Sequence, residues 1–64
     1  MKDKNNVTLN VGDKALAFNK ETDEDILVTI EVINKDRKNG EFYAEVTDEN
    51  YDVFTFGSNN LVKQ

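Results

Sequence analysis

The side chains with the plainest chemical potential are carboxylates, gathered in two runs: Glu21-Thr22-Asp23-Glu24-Asp25 and Asp48-Glu49-Asn50-Tyr51-Asp52. Clustered carboxylates can do three things. They can share acid and base roles when a cleft pulls their pKa values apart. They can hold a divalent cation when their oxygens are correctly spaced. They can draw in the Lys or Arg groups of a partner and speed its approach. The first use needs a deep concave site, and a chain of 64 residues has little concavity to offer. The second needs a central glycine and spaced ligands, both lacking from Glu21 to Asp25. The third needs only exposure, although a solvated loop that keeps a small domain soluble would look the same.

Other chemistries are removed by what is missing. The chain has no Cys, no His, no Pro and no Trp. Disulfide frameworks, Cys/His metal centres and catalytic schemes built on a His base or Cys nucleophile therefore fall away. There is no glycine-rich phosphate loop and no nucleophile beside a base. The expectation is a non-enzymatic protein that uses no cofactor and no metal.

Tyr43 and Tyr51 are the aromatic side chains best suited to contact. Tyrosine offers rigid, amphipathic surface and is favoured at interfaces; cross-strand packing on a half-exposed sheet is the plainer account. With Glu21, Asp23, Glu24 and Asp25 they make up the expected partner-binding set. An aromatic cage for methylated Lys or Arg needs three or four converging rings, more than this chain can spare. Lys35, Arg37 and Lys38 form a local basic loop around Asp36. Thirteen acids against eight bases, a net charge of −5 and a single Arg argue against direct nucleic-acid contact.

Positioning these groups falls to short strands. Residues 1–6 are polar and without period, so they read as a flexible tail ahead of one domain over residues 7–64. Val11-Gly12-Asp13 turns into a short strand carrying Ala15 and Ala17 on one face and Leu16 and Phe18 on the other. Ile26, Val28, Ile30 and Val32 keep period two and are all β-branched, which favours a strand through Asn34. Leu27 and Ile33 lie on its opposite face, serving either a second half of the core or an exposed apolar strip. Lys35 to Gly40 reads as a hairpin loop, with Asn39-Gly40 suited to positive φ. The next strand runs from Glu41 to Thr47 and the one after from Tyr51 to Phe56. A three-residue loop at Asp48-Glu49-Asn50 pairs Thr47 with Tyr51, Ala44 with Phe54 and Phe42 with Phe56. It gathers the phenylalanines on one face and leaves Asn50 in the left-handed position. Gly57 to Asn60 is a tight turn into Leu61-Val62.

Five strands in so short a chain, the middle three joined by hairpins, predict a small closed antiparallel barrel. The Gly-Asp lead-in VGDKALA, the long polar loop, the long second strand, the GEFYAEV strand and the one-turn connection to a brief last strand resemble the SH3-like barrels. The nearest group is the Tudor and KOW type, over Val11 to Val62. The resemblance implies an interaction domain whose long acidic loop meets basic groups of a peptide.

The functional expectation is thus a small all-β module that binds a protein, a basic surface on that partner being the one that complements its acids. Two alternatives come from other classes. One is an inhibitor of host machinery, of phage type, whose acids mimic DNA phosphates. The other is a homo-oligomeric binder of a small ligand, oligomerisation also being a remedy for a core this small. Abundant Asn fits a low-GC bacterium or its phage. MKDKNN is no signal peptide and no apolar run nears the ~20 residues of a membrane span, so a cytoplasmic, membrane-free setting is expected.

Overall fold

The β-branched stripe of the second strand is the spine of the domain. A computed structural model describes residues 1–64. Its elements are β1 (Lys14–Asn19), β2 (Glu24–Lys35), β3 (Phe42–Thr47), β4 (Val53–Gly57), a single 3-10 turn (Ser58–Asn60) and β5 (Leu61–Lys63). All neighbouring strands are antiparallel, in the order β4-β3-β2-β1-β5. No helix is long and apolar enough to cross a membrane. The fully buried residues are Leu9, Ala15, Ala17, Val28, Ile30, Ala44, Val46 and Leu61, with Met1, Ile26, Ile33, Phe54 and Phe56 packed against them.

The alternation from Ile26 to Ile30 holds, and then β2 changes face. Ile30 pairs with Val46, but Val32 pairs with Glu45 and Ile33 with Ala44, so Glu31 is the extra residue of a β-bulge. The bulge turns Val32 outward, 40% exposed, and brings Ile33 onto the core. The two apolar residues on the second face thus part company, Ile33 joining the core and Leu27 remaining 43% exposed.

The β3–β4 register differs from the expected one by two residues. Thr47 pairs with Val53, Val46 with Phe54 and Ala44 with Phe56. Parity is unchanged, so Phe54 and Phe56 still face the core, as the pattern required. The longer turn is held by Asp48, whose Oδ1 accepts the N–H groups of Asn50 at 2.9 Å and Asp52 at 3.0 Å. Tyr51, rather than Asn50, occupies the left-handed region at φ 63°. The shift also leaves Phe42 beyond the end of β4, opposite Lys35 and 46% exposed, instead of in the core.

Two further expectations are corrected. The sheet is not closed into a barrel: β4 and β5 are its edges and do not pair with each other. Nor do residues 1–6 hang free. Lys2 and Thr8 bridge in antiparallel fashion, the Asp3 N–H donates to the Val7 carbonyl at 2.8 Å, and the Leu9 N–H donates to the Met1 carbonyl at 2.8 Å. This small hairpin lies along the outer side of β5, where the Lys4 N–H donates to the Leu61 carbonyl at 2.8 Å and the Lys63 N–H donates to Asp3 Oδ2 at 2.8 Å. The backbone groups through which β5 could close a barrel are already occupied.

Candidate interaction surface

Asp3 is the one buried charged residue, 5% exposed. Its Oδ1 accepts from Asn5 and Val7, both at 2.8 Å, while Oδ2 takes the Lys63 amide. The Lys63 N–H is the main influence holding its carboxyl below the ordinary aspartate value. Burial opposes this, and the Val7 and Asn5 amides and the Lys63 charge add to it. The site is structural: every lone pair it uses points at backbone. Lys63 Nζ also lies 3.6 Å from Asp13 Oδ2, a partly exposed pair that does little more than hold the edge in place.

The surface with concavity lies on the other face of β1. Leu16 sits across from Leu27 on one side and Val62 on the other, so three apolar side chains form a row over β2, β1 and β5. Leu16, Phe18 and Val62 line a shallow groove of about 290 Å³, rimmed by Lys4, Asp25, Asn59 and Asn60. Leu27 and Phe18 are 43% and 36% exposed, so the row leaves apolar surface open to solvent.

The two acidic runs converge beside this row. Pairing of β2 with β3 begins at Thr29, so the stretch from Glu24 to Leu27 projects past the end of β3. The β3–β4 turn folds alongside it, and Glu24, Asp25, Asp48 and Glu49 surround a second depression of about 290 Å³ together with Ile26 and Leu27. Asp25 lines both hollows and Leu27 of the apolar row lines the acidic one, so the two adjoin, apolar on one side and acidic on the other. No group of His, Cys, Asp or Glu has the geometry to hold a metal ion.

The residues expected to bind a partner are thereby divided. Glu24 and Asp25 lie in β2 and line the acidic hollow; Glu21 and Asp23 lie in the exposed β1–β2 turn, Asp23 at φ 58°. Tyr51 stands out from the β3–β4 turn with 86% of its surface exposed. Tyr43 is half-buried on β3 opposite Gly57, at the other end of the hairpin, where it shares a hollow with Lys35, Asp36, Arg37 and Thr55. The two tyrosines do not form one strip. Asp48, Glu49, Leu16, Leu27 and Val62 enter the surface instead. The facing of Leu16 and Leu27 away from the alanine stripe was the available signal, and what hid it was the unknown register of β1 against β2. The chain matches no protein-family model, no curated protein and no solved structure.

Proposed function

We propose that this chain is a small, non-catalytic protein-interaction module of SH3-like type, and that it takes an extended segment of a partner carrying basic and aliphatic side chains. The observation that carries the reading is the joined surface: a row of Leu27, Leu16 and Val62 running into a hollow ringed by Glu24, Asp25, Asp48 and Glu49. Apolar area supplies affinity, and the carboxylates supply orientation and a preference for Lys or Arg. The SH3-like likeness rests on the long β2, the two hairpins and the single 3-10 turn into a three-residue β5. A DNA-mimic surface accounts for the acids but has no use for the apolar row beside them.

Titrating the chain with extended peptides that alternate Lys or Arg with Leu or Val, and following backbone amide resonances, tests this. Shifts are expected at Leu16, Phe18, Asp25, Leu27 and Val62, weakening as salt rises. The double change Asp25→Lys and Glu49→Lys should abolish them. No response at these amides with any such peptide would end the proposal.

A further inference from the structure

The outer edge of β5 is occupied by the N-terminal hairpin, whereas β4 has a partner only in β3. Its backbone groups can be placed from the hairpin geometry. The Asp48 N–H donates to the Asp52 carbonyl at 3.1 Å, and bonded pairs alternate along an antiparallel ladder. Val46 with Phe54 and Ala44 with Phe56 are then the bonded pairs, and Val53, Thr55 and Gly57 turn their N–H and C=O groups outward. Nothing along Val53–Gly57 resembles the usual protection of such an edge: it has no Pro, no Lys and no charge.

We propose that this edge is a self-association site at which a second copy adds its own β4 in antiparallel alignment, with the two-fold axis through Thr55. Four features select that occupant. In this alignment Thr55 faces Thr55 of the other copy and Val53 faces Gly57, so every outward N–H and C=O from Val53 to Gly57 meets a partner. Val53, 67% exposed, lies over a glycine whose missing side chain leaves open space, since a Cβ built there meets nothing within 4 Å. On the opposite face Phe54 of one copy stands against Phe56 of the other. That face adjoins a groove of about 310 Å³ in which Phe18, Phe54 and Phe56 form the apolar wall and Lys20 and Glu21 of the β1–β2 turn the polar one, and the incoming rings lie against the apolar wall.

Charge selects the direction. The strand is neutral, with Asp52 before it and Ser58 after it. Parallel addition would stack Asp52 on Asp52, whereas antiparallel addition places each Asp52 opposite a serine. It also brings the acidic turn at Asp48, Glu49 and Asp52 of each copy toward the end of β4 where Lys35 and Arg37, two bases against the single acid Asp36, share a hollow with Thr55. Head-to-tail growth from β4 onto β5 of another copy is blocked by Asp3 and Lys4. The two-fold pair is therefore closed, and it ends at a dimer.

The chain has no cysteine of its own, which makes a cross-linking test clean. Thr55→Cys should oxidise to a covalent dimer while a control on the apolar row, Val62→Cys, should not. Sedimentation of the unmodified full chain should give twice the monomer mass. Val53→Lys and, separately, Thr55→Pro should return it to the monomer mass with the far-ultraviolet spectrum unchanged, both residues being exposed and their N–H groups unused within the chain. A monomer at every concentration tested, a dimer indifferent to Val53→Lys, or cross-linking through Val62→Cys in place of Thr55→Cys would each overturn the proposal. So would an edge that accepts extended peptides but never a second copy. Cross-linking through Val62→Cys would place the contact on the Leu16 and Val62 row instead, and the peptide titration of that row and its acidic hollow is read separately, at high dilution.

Discussion

The two edges of this sheet meet the same hazard in opposite ways. A row of unpaired backbone groups invites another strand. Along β5 the first residues of the chain answer it: Lys4 gives an N–H to Leu61, and Asp3 takes the N–H of Lys63. Along β4 nothing answers it, and the strand is neutral and rich in β-branched and aromatic side chains. A polar, aperiodic stretch can therefore be as structural as a strand. Its work is done by a carboxylate and a few amides instead of by an apolar stripe.

The largest loss is expected at the hydrophobic root of the sealed edge. Leu9 is fully buried among the core residues, so Leu9→Ala should cost about 2–5 kcal/mol in chemical denaturation. Val53→Ala at the open edge, measured at high dilution, should change stability by no more than about 0.5 kcal/mol. Equal losses would mean that the edges do not differ as described.

Asp3→Asn comes next. The amide keeps one acceptor but turns an N–H₂ group toward the Lys63 N–H, so the Lys63 amide should exchange with solvent markedly faster while Phe56 and Val46 keep their protection. The Lys63 half of the β5 edge is then unsealed while Lys4 still holds Leu61, and any association through it should appear as species larger than a dimer. Unchanged exchange at Lys63 would show that the Asp3 carboxylate is not what seals β5.

Acid should do reversibly what that substitution does permanently. The Asp3 carboxyl is held below its ordinary value in the folded chain, so the unfolded chain takes up this proton first as pH falls. Its contribution is therefore complete above about pH 4, the ordinary aspartate value, and declines as pH drops through the lower native value. Melting temperatures of the unsubstituted chain and Asp3→Asn should differ near neutrality and converge on acidification. Curves that stay parallel would remove Asp3 from the pH dependence.

The smallest effect concerns Tyr51. A tyrosine at φ 63° is strained, and its side chain is almost wholly in solvent. Tyr51→Gly should raise stability by about 1 kcal/mol in thermal denaturation. A loss would mean that the exposed ring contributes a contact of its own.

The particular residues show which parts of the fold were legible in the sequence. The period-two run from Ile26 to Ile30 and the common face of Ala44, Val46, Phe54 and Phe56 were readable because burial enforces parity. The Glu31 bulge was not, since Glu31-Val32-Ile33 offers an apolar residue to either face. The turn length escaped because Asp48 satisfies the extra amides without altering parity. The N-terminal clip was illegible because its signal is one leucine and one carboxylate whose partner stands far along the chain. The candidate surface was half legible. The acidic runs are plain in the sequence, but their meeting depends on β2 overrunning β3, a register fact that composition does not carry.

That clip joins residues 60 positions apart. A loop of such length is expensive to close unless other contacts have first drawn its ends together, and here β1, β2 and β5 do so. The Asp3 bond is therefore late in folding, and a chain shortened by its last two residues would never acquire it. On a ribosome Asp3 and Lys4 must wait, with the edge they guard unfinished, until Leu61 and Lys63 have emerged.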